Sequence, residues 1–73
     1  MSNTQKVINF LATTTTNTGM SEAQYRLFDA ATDGLSFYKQ TYGDIDRREY
    51  FDGEVGNGWD QERIDAFVEE FSL

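Results

Sequence analysis

The chain has 73 residues, with thirteen carboxylates against six cations for a net charge of −7, and it contains neither cysteine nor histidine. Those two absences exclude disulfides, thiol nucleophiles, the usual zinc ligands and the usual base of a serine or cysteine nucleophile, while the negative balance repels nucleic acid and anionic membranes. Seventy-three residues lie near the lower limit for independent folding, but 38% hydrophobic content and eleven aromatic rings favour a packed core over acidic disorder.

Ser2 is placed to cap a first helix with Gln5 three residues on, and Val7, Ile8, Phe10 and Leu11 supply its apolar face. Four consecutive threonines, Thr13 to Thr16, and then Asn17-Thr18-Gly19 disfavour continuation, so 13–19 reads as a connecting loop, with an edge strand as the alternative. The apolar run from Val7 to Ala12 is shorter than the roughly 7–15 residues of a signal h-region and far below a membrane span. Ser2 also gives no myristoylation signal, and a cytoplasmic protein is expected.

Met20-Ser21-Glu22-Ala23-Gln24-Tyr25 carries the clearest helix start, a capping box of Ser21 with Gln24 and a staple of Met20 on Tyr25. This helix is predicted to reach about Thr32, burying Leu27, Phe28, Ala31 and Leu35, with Asp33-Gly34 as its stop. A further segment from Leu35 to Thr41 carries Leu35, Tyr38 and Tyr42 at i, i+3, i+7 and is closed by Gly43.

Asp44 is placed to cap a short helix through Tyr50, with Asp46 in its first turn. The alternative is a hairpin over Glu49–Val55 turning at Asp52-Gly53. Gly53, Gly56 and Gly58 mark 52–58 as a flexible connector. Its carboxylates invite a calcium-loop reading, yet Gly56 and Asn57 stand where an EF-hand needs an oxygen donor and a glycine. Trp59-Asp60 then supplies staple and cap to a last helix whose Ile64, Phe67, Val68 and Phe71 share one face, with Glu62, Asp65 and Glu69 nearly opposite. No internal repeat or long linker divides the chain. The expected fold is all-α: a compact single domain, 1–73, of three to four short helices, with a small β-hairpin around residues 48–58 as the open alternative.

All of the net charge lies beyond Gly43, where ten carboxylates face Arg47, Arg48 and Arg63; residues 1–43 balance three against three. Such an array fits a groove lined with Lys and Arg that normally holds phosphates. The candidate partner-binding residues are Asp44, Asp46, Glu49, Asp52, Glu54, Glu62, Asp65 and Glu69, with Tyr42 and Tyr50 as exposed apolar contacts. Phe28, Tyr38, Phe51, Phe67 and Phe71 are the expected core rings, and Arg47 and Arg48 are expected to pair locally with Asp44 or Asp52.

Paired carboxylates could serve acid–base chemistry, but pairs are unavoidable among thirteen, and so small a chain can hardly surround a substrate cleft. No enzyme activity, cofactor or metal is therefore expected. The reading is a small acidic protein that blocks a basic, nucleic-acid-binding site on a larger protein, by analogy of size and charge with phage and mobile-element anti-defence inhibitors. It binds neither nucleic acid nor membrane directly. The alternative is an assembly module that self-associates, or packs in a larger complex, through exposed aromatics.

Overall fold

The computed structural model describes residues 1–73 as four helices and no strand: α1 (Asn3–Thr13), α2 (Glu22–Tyr42), α3 (Arg47–Gly58) and α4 (Gln61–Phe71). Each start is set by a side chain accepting from an otherwise unpaired backbone N–H. Ser2 Oγ accepts from Gln5 at 3.1 Å, Ser21 Oγ from Gln24 at 3.2 Å, Asp46 Oδ2 from Glu49 at 3.3 Å and Asp60 Oδ1 from Arg63 at 2.8 Å. Caps of this kind contribute about 1 kcal/mol each. At Ser21 the box is complete, because Gln24 Oε1 accepts from the Ser21 N–H at 2.9 Å.

The core is built mainly around α1, which packs on both α3 and α4, while α2 closes over α4. Val7, Leu11, Phe51 and Phe67 are wholly buried, joined by Ile8, Phe28, Ala31, Leu35, Tyr50, Val55 and Ile64. Phe71 bridges two elements, its ring 4.5 Å from Phe10 and 5.5 Å from Phe67. Tyr38 and Phe71, expected inside, are only partly buried against this cluster.

Two local expectations fail for one shared reason. Asp33-Gly34 does not stop α2; the helix runs through it to Tyr42, so the two segments expected there are one helix. Tyr50, expected at the surface, is 7% exposed. A Cβ on Gly34 would lie 2.6 Å from the Tyr50 hydroxyl oxygen. Glycine in a helix interior costs about 1 kcal/mol relative to alanine, and here it opens the space into which the Tyr50 ring fits. That ring packs edge-on against Tyr38 at 5.6 Å and Phe51 at 5.1 Å.

The segment after Gly43 also differs. Asp46 rather than Asp44 is the cap, and neither a hairpin nor a flexible connector forms, because α3 continues through Gly53 and Gly56 to Gly58. Phe51 and Val55, one helical turn apart, are 0% and 1% exposed. Burying a Phe or Val contributes about 1.5–3 kcal/mol, which outweighs a backbone cost of about 1 kcal/mol per glycine. Ile45 occupies the staple position before the cap and packs on the core.

Candidate functional site

All eight candidate carboxylates are exposed, but they occupy several separate positions. At 100° per residue, Glu62, Asp65 and Glu69 fall within one arc of α4, opposite Ile64, Phe67 and Phe71. Asp65 is held in place: its Oδ1 accepts from Gln61 Nε2 at 2.8 Å and from Asn3 Nδ2 of α1 at 3.2 Å. On α3, Glu49 and Asp52 lie three residues apart on the outward side, while Glu54 projects from the opposite flank, where its charge acts on Tyr50. Asp44 sits in the α2–α3 loop and Asp46 is engaged as the cap of α3. No three of them converge closely enough to hold a metal ion. The 52–62 stretch forms two helix ends meeting near Trp59, so it makes no ligand loop.

The arginines of this half all bond elsewhere. Arg47 donates from Nε to the Leu11 carbonyl at 2.6 Å and from Nη2 to the Thr14 carbonyl at 2.7 Å, with its guanidinium over the Phe51 ring at 5.4 Å. It thereby supplies the cation that the last turn of α1 lacks in its own sequence. Burial lowers the Arg47 pKa from its ordinary value. Arg48 Nη1 donates to Asn9 Oδ1 at 2.8 Å, and the Arg63 guanidinium lies 3.7 Å from the centroid of the Trp59 ring.

The expected pairing of Arg47 and Arg48 with Asp44 or Asp52 is therefore incorrect. Carbonyls at the end of α1 offer Arg47 part-buried acceptors and the Asn9 amide offers Arg48 an exposed one, whereas an exposed ion pair would contribute little. The only ion pair in the molecule joins Arg26 to Glu22 within α2 at 2.6 Å, leaving the ten carboxylates beyond Gly43 without a paired cation.

Of the two tyrosines assigned to the surface, Tyr42 is 74% exposed, resting on Tyr38 with ring centroids 4.9 Å apart. Tyr50 is withdrawn into the core as described. Its burial, then the Glu54 charge, raises the phenol pKa above the ordinary value, and Arg63 opposes them. Sequence reasoning missed Phe37, which is 67% exposed. The signal was its phase: once α2 is continuous, Phe37 falls opposite Phe28, Ala31 and Leu35. A separate open groove of about 540 Å³ is lined by Lys6, Asn9, Phe10, Thr13, Arg48 and Leu73.

These features define a small acidic four-helix domain. No helix is long and apolar enough to cross a membrane. No protein-family model, curated protein or solved structure matches the chain.

Proposed function

We propose that this chain is a non-catalytic acidic binding module that occupies a basic, nucleic-acid-binding site on a larger cytoplasmic protein, acting as an inhibitor by charge mimicry of the kind phage and mobile-element anti-defence proteins use. The observation supporting this reading is that Arg47, Arg48 and Arg63 bond to carbonyls, an amide and a ring. The surrounding carboxylates are thus uncompensated at short range. Helices holding such charges in fixed positions lose little entropy when docked against Lys and Arg, and displaced counterions add to the binding.

The test is capture from the native host at low and moderate salt, with duplex DNA or RNA added as competitor. A mimic loses its partner to nucleic acid and to salt, and Glu62→Lys with Glu69→Lys loses it under all conditions. A partner that is retained through all three challenges contradicts the reading. Asp65 is left unchanged in this variant because it ties α4 to Asn3.

The exposure of Phe37 and Tyr42 favours a second reading, an assembly module that self-associates or packs in a larger complex through its rings. Association of that kind tolerates salt or tightens with it.

A further inference from the structure

The outer side of α2 carries a pattern that its inner side does not explain. Ala23, Arg26, Ala30, Asp33 and Phe37 are all exposed, and they succeed one another at steps of three, four, three and four residues. That spacing sets all five on one face, where apolar Ala23, Ala30 and Phe37 are separated by the opposite charges of Arg26 and Asp33. At 1.5 Å per residue, the 21 residues of α2 span about 30 Å, nearly the 32 Å long axis of the molecule. The seam they form, from Ala23 to Phe37, takes up fourteen residues' rise, about 21 Å of the helix.

The two ends of the seam are complementary in shape. Near the N-terminal end, Glu22, Ala23 and Arg26 line a shallow hollow of about 440 Å³. Toward the other end stands Phe37, 67% exposed, with no ring or core cluster against it. Ala30 is midway, seven residues from Ala23 and seven from Phe37.

We infer that α2 pairs antiparallel with α2 of a second copy of this chain, about a two-fold axis passing at Ala30, so that each Phe37 fills the partner's hollow over Ala23. An antiparallel pair centred on residue 30 sets each position opposite the one equally far beyond the axis. Ala23 then meets Phe37, and Arg26 meets Asp33 within one residue's rise of about 1.5 Å. A small side chain at the axis allows the helices to approach closely. The surface presents knob and hole, and cation and anion, to itself, as an isologous interface requires. Arg26 already pairs with Glu22, but both side chains are about three-quarters exposed, at 76% and 78%, so that contact rearranges at little cost.

Charge also favours a second copy as the occupant. The seam lies wholly within residues 1–43, whose charges balance, so the contact itself gathers no excess of one sign. What opposes it is the repulsion of two bodies of −7 acting across the dimer. That repulsion acts over distances beyond the Debye length of about 8 Å at physiological salt and is screened, whereas contacts within the seam are screened much less. The dimer therefore tightens with salt, opposite in sign to binding of a basic partner through the carboxylates. This inference rests on the assembly reading and not on the acidic surface. Phe37→Glu leaves every carboxylate of residues 44–73 in place, and Glu62→Lys with Glu69→Lys leaves α2 untouched, so the two ideas fail separately.

One helix face is a small interface, and cross-linking suits a weak dimer. Because the chain has no cysteine, a single thiol at Ala30→Cys reports on the axis and one at Ala66→Cys, exposed on α4, serves as control. With a short bismaleimide in about 0.5 M salt, the Ala30 thiol is expected to cross-link at least about ten-fold faster than the control. Adding Phe37→Glu should reduce it to the control rate with the circular-dichroism spectrum preserved. Arg26→Asp should do likewise, and Asp33→Arg in the same chain should restore the rate. Equal rates at the two thiols, or an Ala30 rate indifferent to Phe37→Glu, would overturn the pairing.

Discussion

Residues 1–43 and residues 44–73 hold three cations each, and the two halves use them in different ways. In the first half Arg26 meets Glu22 across one turn of α2. In the second half Arg47 closes the end of α1, Arg48 reaches Asn9 and Arg63 covers Trp59, so no cation meets a carboxylate. Counting charges gives the far field, whereas the surface a partner meets also depends on what each guanidinium is bonded to. The glycines inside α2 and α3 differ as well. Gly34 of α2 has a tyrosine hydroxyl against it, whereas Gly53, Gly56 and Gly58 of α3 face open space.

The largest expected effect would break the charge comparison. Arg47→Ala removes two charge-assisted bonds to the carbonyls of Leu11 and Thr14 and should lower stability in urea unfolding by about 3 kcal/mol. A loss under about 1 kcal/mol that shrinks with salt would show Arg47 to be an ordinary surface cation.

The glycine contrast comes next. Gly34→Ala forces a methyl against the Tyr50 hydroxyl and should destabilise by about 2 kcal/mol. Tyr50→Phe in the same chain should recover most of that, because the clashing oxygen is gone. Gly53→Ala and Gly56→Ala should have the opposite sign, each stabilising α3 by about 0.5–1 kcal/mol, since their Cβ atoms meet nothing.

The smallest effect is the pH dependence of Tyr50. Its folded-state pKa is raised above the ordinary 10.0 by burial, so the unfolded chain releases this proton first. The contribution of the neutral phenol to stability is complete below pH 10 and declines as pH rises through the folded value. Tyr50→Phe should flatten that part of the stability curve, which parallel melts near and above pH 10 would detect.

Much of the fold was legible in the sequence because it is encoded locally. Ser2, Ser21 with Gln24, and Asp60 announce their helices within three or four residues of chain. The four-residue periodicity of α4 gives its buried and charged sides directly. Gly34 and α3 were not legible because both depend on partners far along the chain: Tyr50 lies sixteen residues beyond Gly34, and Phe51 is buried in the core that α1 shares with α3. The competition between Asp44 and Asp46 as cap also involves a distant partner, since a start at Asp46 leaves Ile45 at the staple position, packed on the core. The candidate carboxylates were legible as exposed charge, but not as separate positions on α3, α4 and a loop. That the arginines leave them unpaired depends on acceptors contributed by α1 and by the Trp59 ring.

The central claim is that the α4 carboxylates Glu62 and Glu69, which no cation pairs, dock a basic partner. It is tested most directly by titrating the captured basic partner with the wild-type chain and with Glu62→Lys/Glu69→Lys, at low and at moderate salt. The account predicts wild-type binding that weakens steeply with salt and a variant that does not bind although its helices are intact. Equal affinity for both chains at both salt concentrations would contradict it.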